Sequence, residues 1–290
     1  MSSPPVVHSV HHPTSGTWTH VVADPASGRA AVVDPVLDFD VASGRIDPGP
    51  ARALLARIGQ LGLEIAVILE THAHADHLSA GGWLRDRLGV PLAIGAGIIE
   101  VQRTFKRLLA LGDDFPAEGR EFDRLLRDGE RVDVGTLAVR VIATPGHTSD
   151  SLAYLAGDAL LVGDTMFAPA AGTARCDFPG GSAATLYRSI RRLYELPDAT
   201  RVFLCHDYPA AGAVAIAQAF MRDEKDSNVH LRHDTNEDDY VAVREQRDAT
   251  LAVPTLLWPA IQFNIRGGRL PPADALGRRY LKLPAYFDAD

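Results

Sequence analysis

The stretch T-H-A-H-A-D-H-L-S-A, residues 71–80, sets His72, His74, Asp76 and His77 within six consecutive positions. Imidazole nitrogen and carboxylate oxygen suit zinc, iron or manganese. Alternation of ligands along a loop turns His72 and His74 to one side and Asp76 and His77 to another. That geometry favours two adjacent metal positions. Immediately upstream, LEIAVILE (63–70) is a continuous apolar run bounded by charge, short enough for a buried strand. The histidine motif is therefore expected in the loop that follows a strand.

Three later segments supply what such a cage lacks. TPGHTSDS (144–151) presents His147 after a Pro-Gly bend, VGDT (162–165) presents Asp164 after an apolar strand, and FLCHDY (203–208) presents His206 in the same way. Each alone is weak. Together, each placed after a strand, they predict a metal cage gathered from several strand ends. The other histidines, His8, His11, His12, His20, His230 and His233, have no such placement and are read as surface or locally bonded groups.

The remaining pattern fits a layered α/β or α+β protein. TWTHVVAD and RAAVVDPV flank a turn at 25–28 and read as a hairpin. Residues 49–62, 78–89, 98–115 and 183–198 read as helices, with Leu54, Leu55, Ile58 and Leu61 on one face of the first, Ile99, Phe105, Leu108 and Leu109 as apolar positions of the third, and Leu186, Ile190 and Leu193 inward in the last. Residues 91–95 and 201–206 read as strands. Residues 126–147 read as two strands around Gly135, and 151–165 as a hairpin about Gly157. The region from Ala211 to about Ala249 is expected to be helical. The whole of 1–290 is expected to form one domain, with a helical insertion at about 98–122 and a C-terminal extension after about 210.

With 290 residues the chain can bury a large core without staples. A net charge of −8 argues against a broad nucleic-acid surface and weakly against an anionic membrane. It does not exclude a small anionic substrate, which a local arginine suffices to hold. The only cysteines, Cys176 and Cys205, make no disulfide framework, so a reducing compartment is expected. The first residues, MSSPPVVHSVHH, have neither a cationic start nor an apolar run, and no run approaches a membrane span, so a cytoplasmic protein is expected.

The order H-x-H-x-D-H, G-H-T, G-D-T and C-H-D-Y resembles the metallo-β-lactamase superfamily, over about Thr17 to Tyr208. That resemblance implies an αββα four-layer sandwich with metal at one edge, between two sheets. DPVLD (34–38), TPGHT (144–148), TARCDFPGG (173–181), TLYRSIRRLYELPD (185–198) and CHDY (205–208) resemble its persulfide dioxygenase branch, and most nearly the bacterial β-lactamase-hydrolase-like members. The resemblance implies oxidation of glutathione persulfide by O2 to sulfite and glutathione, and often a homodimer. It implies one Fe(II) per chain held by His72, His147 and Asp164, a set that leaves open positions for O2 chemistry. His74, Asp76, His77 and His206 would then orient ligands and water around it. The same residues could instead hold two Zn(II) for a glyoxalase II-like hydrolysis of glutathione thioesters or lactones.

Arg175 matches the family arginine expected to hold a glutathione carboxylate, against a structural pairing with Asp177. Tyr208 could point its hydroxyl into the pocket or simply pack. Cys176 reads as a passive buried thiol and Cys205 as strand core. Arg266, in NIRGG (264–268), is a further anion-binding candidate.

Overall fold

A computed structural model gives the architecture and describes residues 4–210 and 212–285. β1 (Val6–His12), β2 (Thr17–Ala23) and β3 (Arg29–Val33) form an antiparallel meander. A small sheet follows from β4 (Val36–Asp40) and β5 (Arg45–Asp47). Then α1 (Gly49–Gln60) crosses over to β6 (Glu64–Leu69), which lies parallel to β3. β7 (Leu78–Ser79), α2 (Gly81–Leu88), β8 (Leu92–Gly95), α3 (Ile98–Leu108) and β9 (Arg124–Leu126) complete the first half. Its main sheet runs β1-β2-β3-β6-β8-β9, and β7 joins the small sheet beside β4.

The second half begins with the meander β10 (Arg131–Val134), β11 (Leu137–Ala143), β12 (Leu152–Ala156) and β13 (Ala159–Leu161). α4 (Ala183–Leu193) crosses to β14 (Arg201–Phe203), parallel to β13, and β15 (Gln218–Phe220) closes the sheet in the order β10-β11-β12-β13-β14-β15. α5 (Met221–Ser227), α6 (Glu237–Asp248) and α7 (Leu257–Asn264) follow.

Three apolar layers hold these parts. Between the sheets, Val22, Val33, Val67 and Leu69 meet Val132, Val139, Tyr154 and Phe203. Outside the first sheet, Leu54, Ile58, Leu84, Ile98, Phe105 and Ile261 pack helices α1, α2, α3 and α7. Outside the second, Leu186, Ile190, Leu193 and Tyr240 pack α4 and α6 against Ile142, Leu160 and Val202. The result is the αββα four-layer sandwich. Among the described residues no helix is long and apolar enough to cross a membrane.

Several expected elements shift, for identifiable reasons. The helix expected from Leu78 starts at Gly81, because Leu78 and Ser79 pair with Leu37 and Val36. The helix expected over 98–115 stops at Leu108, where Ala110 turns to a left-handed φ of 45°. The Lys282 ammonium then takes the carbonyls of Leu109 and Ala110 at 3.0 and 2.8 Å. The region from Ala211 to Ala249 is not helical throughout, and Ala211 itself lies outside the described residues. β14 leaves an edge with unpaired backbone groups, and Gln218–Phe220 is recruited to it as a strand. β1 is an added strand on the opposite sheet, in register with β2 along its whole length.

His20 ties the two sheets together. Its Nε2–H donates to the Leu204 carbonyl at 2.8 Å, and its Nδ1 accepts from Ser9 at 2.9 Å. Burial pulls its pKa down to about 4, against the Leu204 hydrogen bond, which works the other way. The unfolded chain therefore holds one more proton than the folded chain between pH 6.5 and 4, and stability falls as the pH drops through that window. His20→Gln should flatten the acid slope of urea-unfolding free energy by about one proton; an unchanged slope would show that His20 carries no such linkage.

Candidate metal centre

The pairing of the strands explains why the cage forms. β11 and β13 both lie antiparallel to β12, and β14 lies parallel to β13, so all three end at the same edge of their sheet. The loop after β6 closes over that edge from the facing sheet. His72, His74, Asp76 and His77 lie in this loop, and His147, Asp164 and His206 follow β11, β13 and β14. Two glycines allow the loops to approach. A Cβ at Gly146 would lie 2.4 Å from the Leu186 backbone, and one at Gly163 would lie 2.7 Å from the Thr71 side chain. Both have positive φ, which glycine tolerates.

All seven predicted groups converge in the interior. His72, His147 and Asp164 place one donor atom each within 4.8 Å of one another, and so do His74, Asp76, His77 and His206. Asp164 lies between the two groups. Its Oδ2 is 3.7 Å from His72 Nε2 and 3.8 Å from His147 Nε2, while its Oδ1 is 3.3 Å from His206 Nε2. Asp76 Oδ2 is also 3.3 Å from His206 Nε2. This places Asp164 where one carboxylate can serve two neighbouring cations.

The chemistry of these atoms fits a metal. His72 Nε2, His74 Nδ1, Asp76 Oδ2, His77 Nε2, Asp164 Oδ1 and His206 Nε2 are buried without a hydrogen-bond partner. Buried polar atoms left so are costly unless an ion satisfies them. Burial lowers the pKa of His72 and of His74 well below the usual imidazole value, and each is lowered further by a neighbouring imidazole. Both are thus neutral, with lone pairs available. Burial alone would raise Asp76 and Asp164, but facing imidazoles, His206 first, pull both below the usual carboxylate range. Cys205 is close to Asp164 and His206, yet burial holds its thiol protonated, which fits strand core rather than a ligand.

The outer contacts are equally specific. Asp34, in a left-handed conformation with φ 50°, accepts Thr71 N at 2.7 Å and Thr71 Oγ1 at 2.8 Å, and faces His74 Nε2 at 3.0 Å. Asp150 accepts the backbone N–H of Ala73 at 2.8 Å. Asn264, at the end of α7, donates to the carbonyls of both His74 and His77 at 2.8 Å and accepts Ser79 N at 2.9 Å. The Arg175 carbonyl accepts His147 Nδ1–H at 2.8 Å, which presents Nε2 to the cage. DPVLD carried a signal for Asp34. Nothing local marked Asn264, because its partners lie about 190 residues away in sequence.

A cavity of about 500 Å³ opens from the cage, walled by Phe167, Phe178, Thr173, Val229, Leu251 and Pro254 among others. Tyr208 lines it, stacked on His206 with ring planes 4° apart and its hydroxyl 3.4 Å from His206 Nδ1. Arg175 also reaches this wall, but its guanidinium is closed by Asp177 at 2.6 Å on two nitrogens and by the Ala252 carbonyl at 2.8 Å. A carboxylate there would have to displace Asp177. The wall carries another cation, Arg247, whose side chain has no ion pair or hydrogen bond among the described residues. His230 lines the same wall; burial pulls its pKa down to about 4, so it is neutral. Arg247 and His230 were not legible as site residues, because α6 and the segment before it reach the pocket only through packing. Burial pushes the Cys176 thiol up to about 12, consistent with a passive group.

Fold and cage together define a metal-dependent enzyme whose ligands lie at the edge of a two-sheet sandwich. Residues 12–206 match the metallo-β-lactamase superfamily, and the chain belongs to it. It is 44% identical over 288 residues to a probable metallo-hydrolase of Burkholderia pseudomallei, covering 96% of this chain and 98% of that protein. It is 44% identical over 280 residues to a β-lactamase hydrolase-like protein of Xylella fastidiosa, covering 97% of this chain and 64% of that longer protein. It is 29% identical over 215 residues to the human mitochondrial persulfide dioxygenase ETHE1, covering 71% of this chain and 70% of that protein. The crystal structure of ETHE1 from Myxococcus xanthus superposes with a TM-score of 0.73 at 28% identity, covering 91% of this chain and all of that one.

Asn264→Ala removes three buried hydrogen bonds from the ligand loop without touching a ligand. It should weaken metal retention about 10–100-fold in a competition against a chelator. Unchanged retention would mean that the loop is held by Asp34 and Asp150 alone.

Proposed function

We propose that this protein is a non-haem iron persulfide dioxygenase that converts glutathione persulfide, O2 and water into glutathione and sulfite. The sulfane sulfur gives up four electrons, dioxygen accepts them, and the S–S bond breaks. The observation that carries this reading is the buried triad of His72, His147 and Asp164, two imidazoles and one carboxylate on neighbouring loops. Such a set holds Fe(II) while leaving open positions for a sulfur ligand and dioxygen. Likeness to persulfide dioxygenases in sequence and fold supports it. When bound, the iron would supply the redox chemistry.

The chain's own residues do the rest. Phe167 and Phe178 give the cavity an apolar wall that limits water beside the reacting sulfur. Asp76 and His206, 3.3 Å apart, are placed to orient a water beside the triad. Tyr208, through the His206 ring, limits that imidazole's rotation. Arg247 offers its guanidinium to a carboxylate of the thiol moiety, the role that Arg175 gives up to Asp177. The stated substrate is small, and the cavity lies within the size range of small-molecule sites.

One observation favours a second reading. His74, Asp76, His77 and His206 also converge, and Asp164 faces both groups. This supports a dinuclear zinc hydrolase of glutathione thioesters or lactones, with a bridging water as nucleophile. A probable metallo-hydrolase among the relatives supports it too.

Anaerobic purification, metal counting and O2 uptake separate the two. The first reading expects one iron per chain, O2 consumption with glutathione persulfide, and sulfite release. Two zincs per chain with thioester turnover and no O2 uptake would overturn it. Asp164→Ala should abolish metal binding, whereas His206→Ala should keep the iron and lower kcat; loss of half the metal in His206→Ala would identify a dinuclear site. Arg247→Ala should raise KM for the glutathione substrate about tenfold at nearly constant kcat, as loss of one charge-assisted hydrogen bond implies. An unchanged KM would return Arg175 to consideration.

A further inference from the structure

Arg266 follows α7 by two residues and is 8% exposed. Its guanidinium lies over the Phe115 ring, 4.3 Å from the centroid. Its Nε is buried with no hydrogen-bond partner, and the facing carboxylates, Asp114 and Glu121, act on it from beyond ion-pair distance. A buried, unpaired cation of this kind is costly to keep. The other buried arginine among the described residues, Arg244, 2% exposed, is held by Asp248 at 2.7 Å.

The guanidinium lines a cavity of about 300 Å³ that shares no lining residue with the pocket at the metal centre. Its other walls are already committed. Lys282 spends its ammonium on the carbonyls of Leu109 and Ala110, though its positive charge remains. The Gln262 amide is bonded to Trp258 and Lys282. The Asp274 carboxylate accepts Leu276 N, Arg278 N, Arg278 Nε and the Tyr280 hydroxyl. Asp114 also lines the cavity but is exposed to water, and Glu121 is occupied by Gln102 at 2.8 Å. The uncommitted group is Arg266.

We propose that Arg266, with Lys282 beside it, forms a binding site for a small oxyanion, separate from the metal centre. The planar fork, backed by an aromatic ring, suits two oxygens of a carboxylate or of a tetrahedral oxyanion. The proposal does not depend on which reaction the metal centre performs.

The test is thermal unfolding of the full-length, metal-loaded protein in chloride buffer. Sodium acetate or sodium phosphate is titrated in at constant ionic strength, as the carboxylate and tetrahedral probes. At least one should raise Tm saturably, by about 2–4 °C near ten times its half-saturation concentration. The probe that does so identifies the source. Arg266→Met should lose that rise while melting no lower than the native protein in chloride alone, since it removes an unpaired buried charge. Arg266→Lys, which keeps the charge but not the fork, should raise the half-saturation concentration about tenfold. No saturable rise with either probe, or the same rise in both variants, overturns the site.

Discussion

Five imidazoles and the Asp164 carboxylate are buried together with the half-buried Asp76 at one edge of this sandwich, and most of their ligand atoms have no protein partner. An apolar interior does not tolerate that arrangement unless a cation completes it. The surrounding structure answers to this constraint. Strands β11, β13 and β14 end at one edge so that three loops can each deliver one ligand. Gly146 and Gly163 remove the side chains that would keep those loops apart.

A second set of polar groups keeps the ligands in place. Asp34 anchors Thr71 and faces His74, Asp150 anchors Ala73, and Asn264 fastens the far end of the same loop. These contacts come from the turn after β3, from the loop before β12, and from the end of α7. The loop is therefore held from both halves of the sandwich and from the C-terminal segment. Rigid placement matters because a metal site loses affinity when its ligands must be ordered at the moment of binding. It also gives the C-terminal helices a role beyond coverage: α7 steadies the ligand loop, while α6 brings Arg247 to the wall of the cavity.

Much of the site was legible because its signals are local. His72, His74, Asp76 and His77 lie within one loop, and His147, Asp164 and His206 each follow an apolar run that reads as a strand. Arg175 was legible only as two alternatives, and the bidentate contact with Asp177 is the one the structure shows. Arg247, His230 and Asn264 were not legible. His230 and Asn264 bond partners distant in sequence, and Arg247 reaches the cavity only through the packing of α6; no periodicity or motif records such a placement. The same reason explains β15: Gln218–Phe220 has no strand pattern of its own and is extended because β14 offers it an unpaired edge.

The sequence by itself determined the ligand types, their order and the sandwich that collects them, because side-chain chemistry and hydrophobic period are properties of short segments. Tertiary structure alone decided that Asp164 faces both ligand groups, that Asp177 closes Arg175, and that Arg266 is buried without a partner. Those outcomes depend on distances between segments, which are set when the two sheets and their helices pack. The identity of a residue fixes what it can bond; packing fixes which of those bonds is already taken.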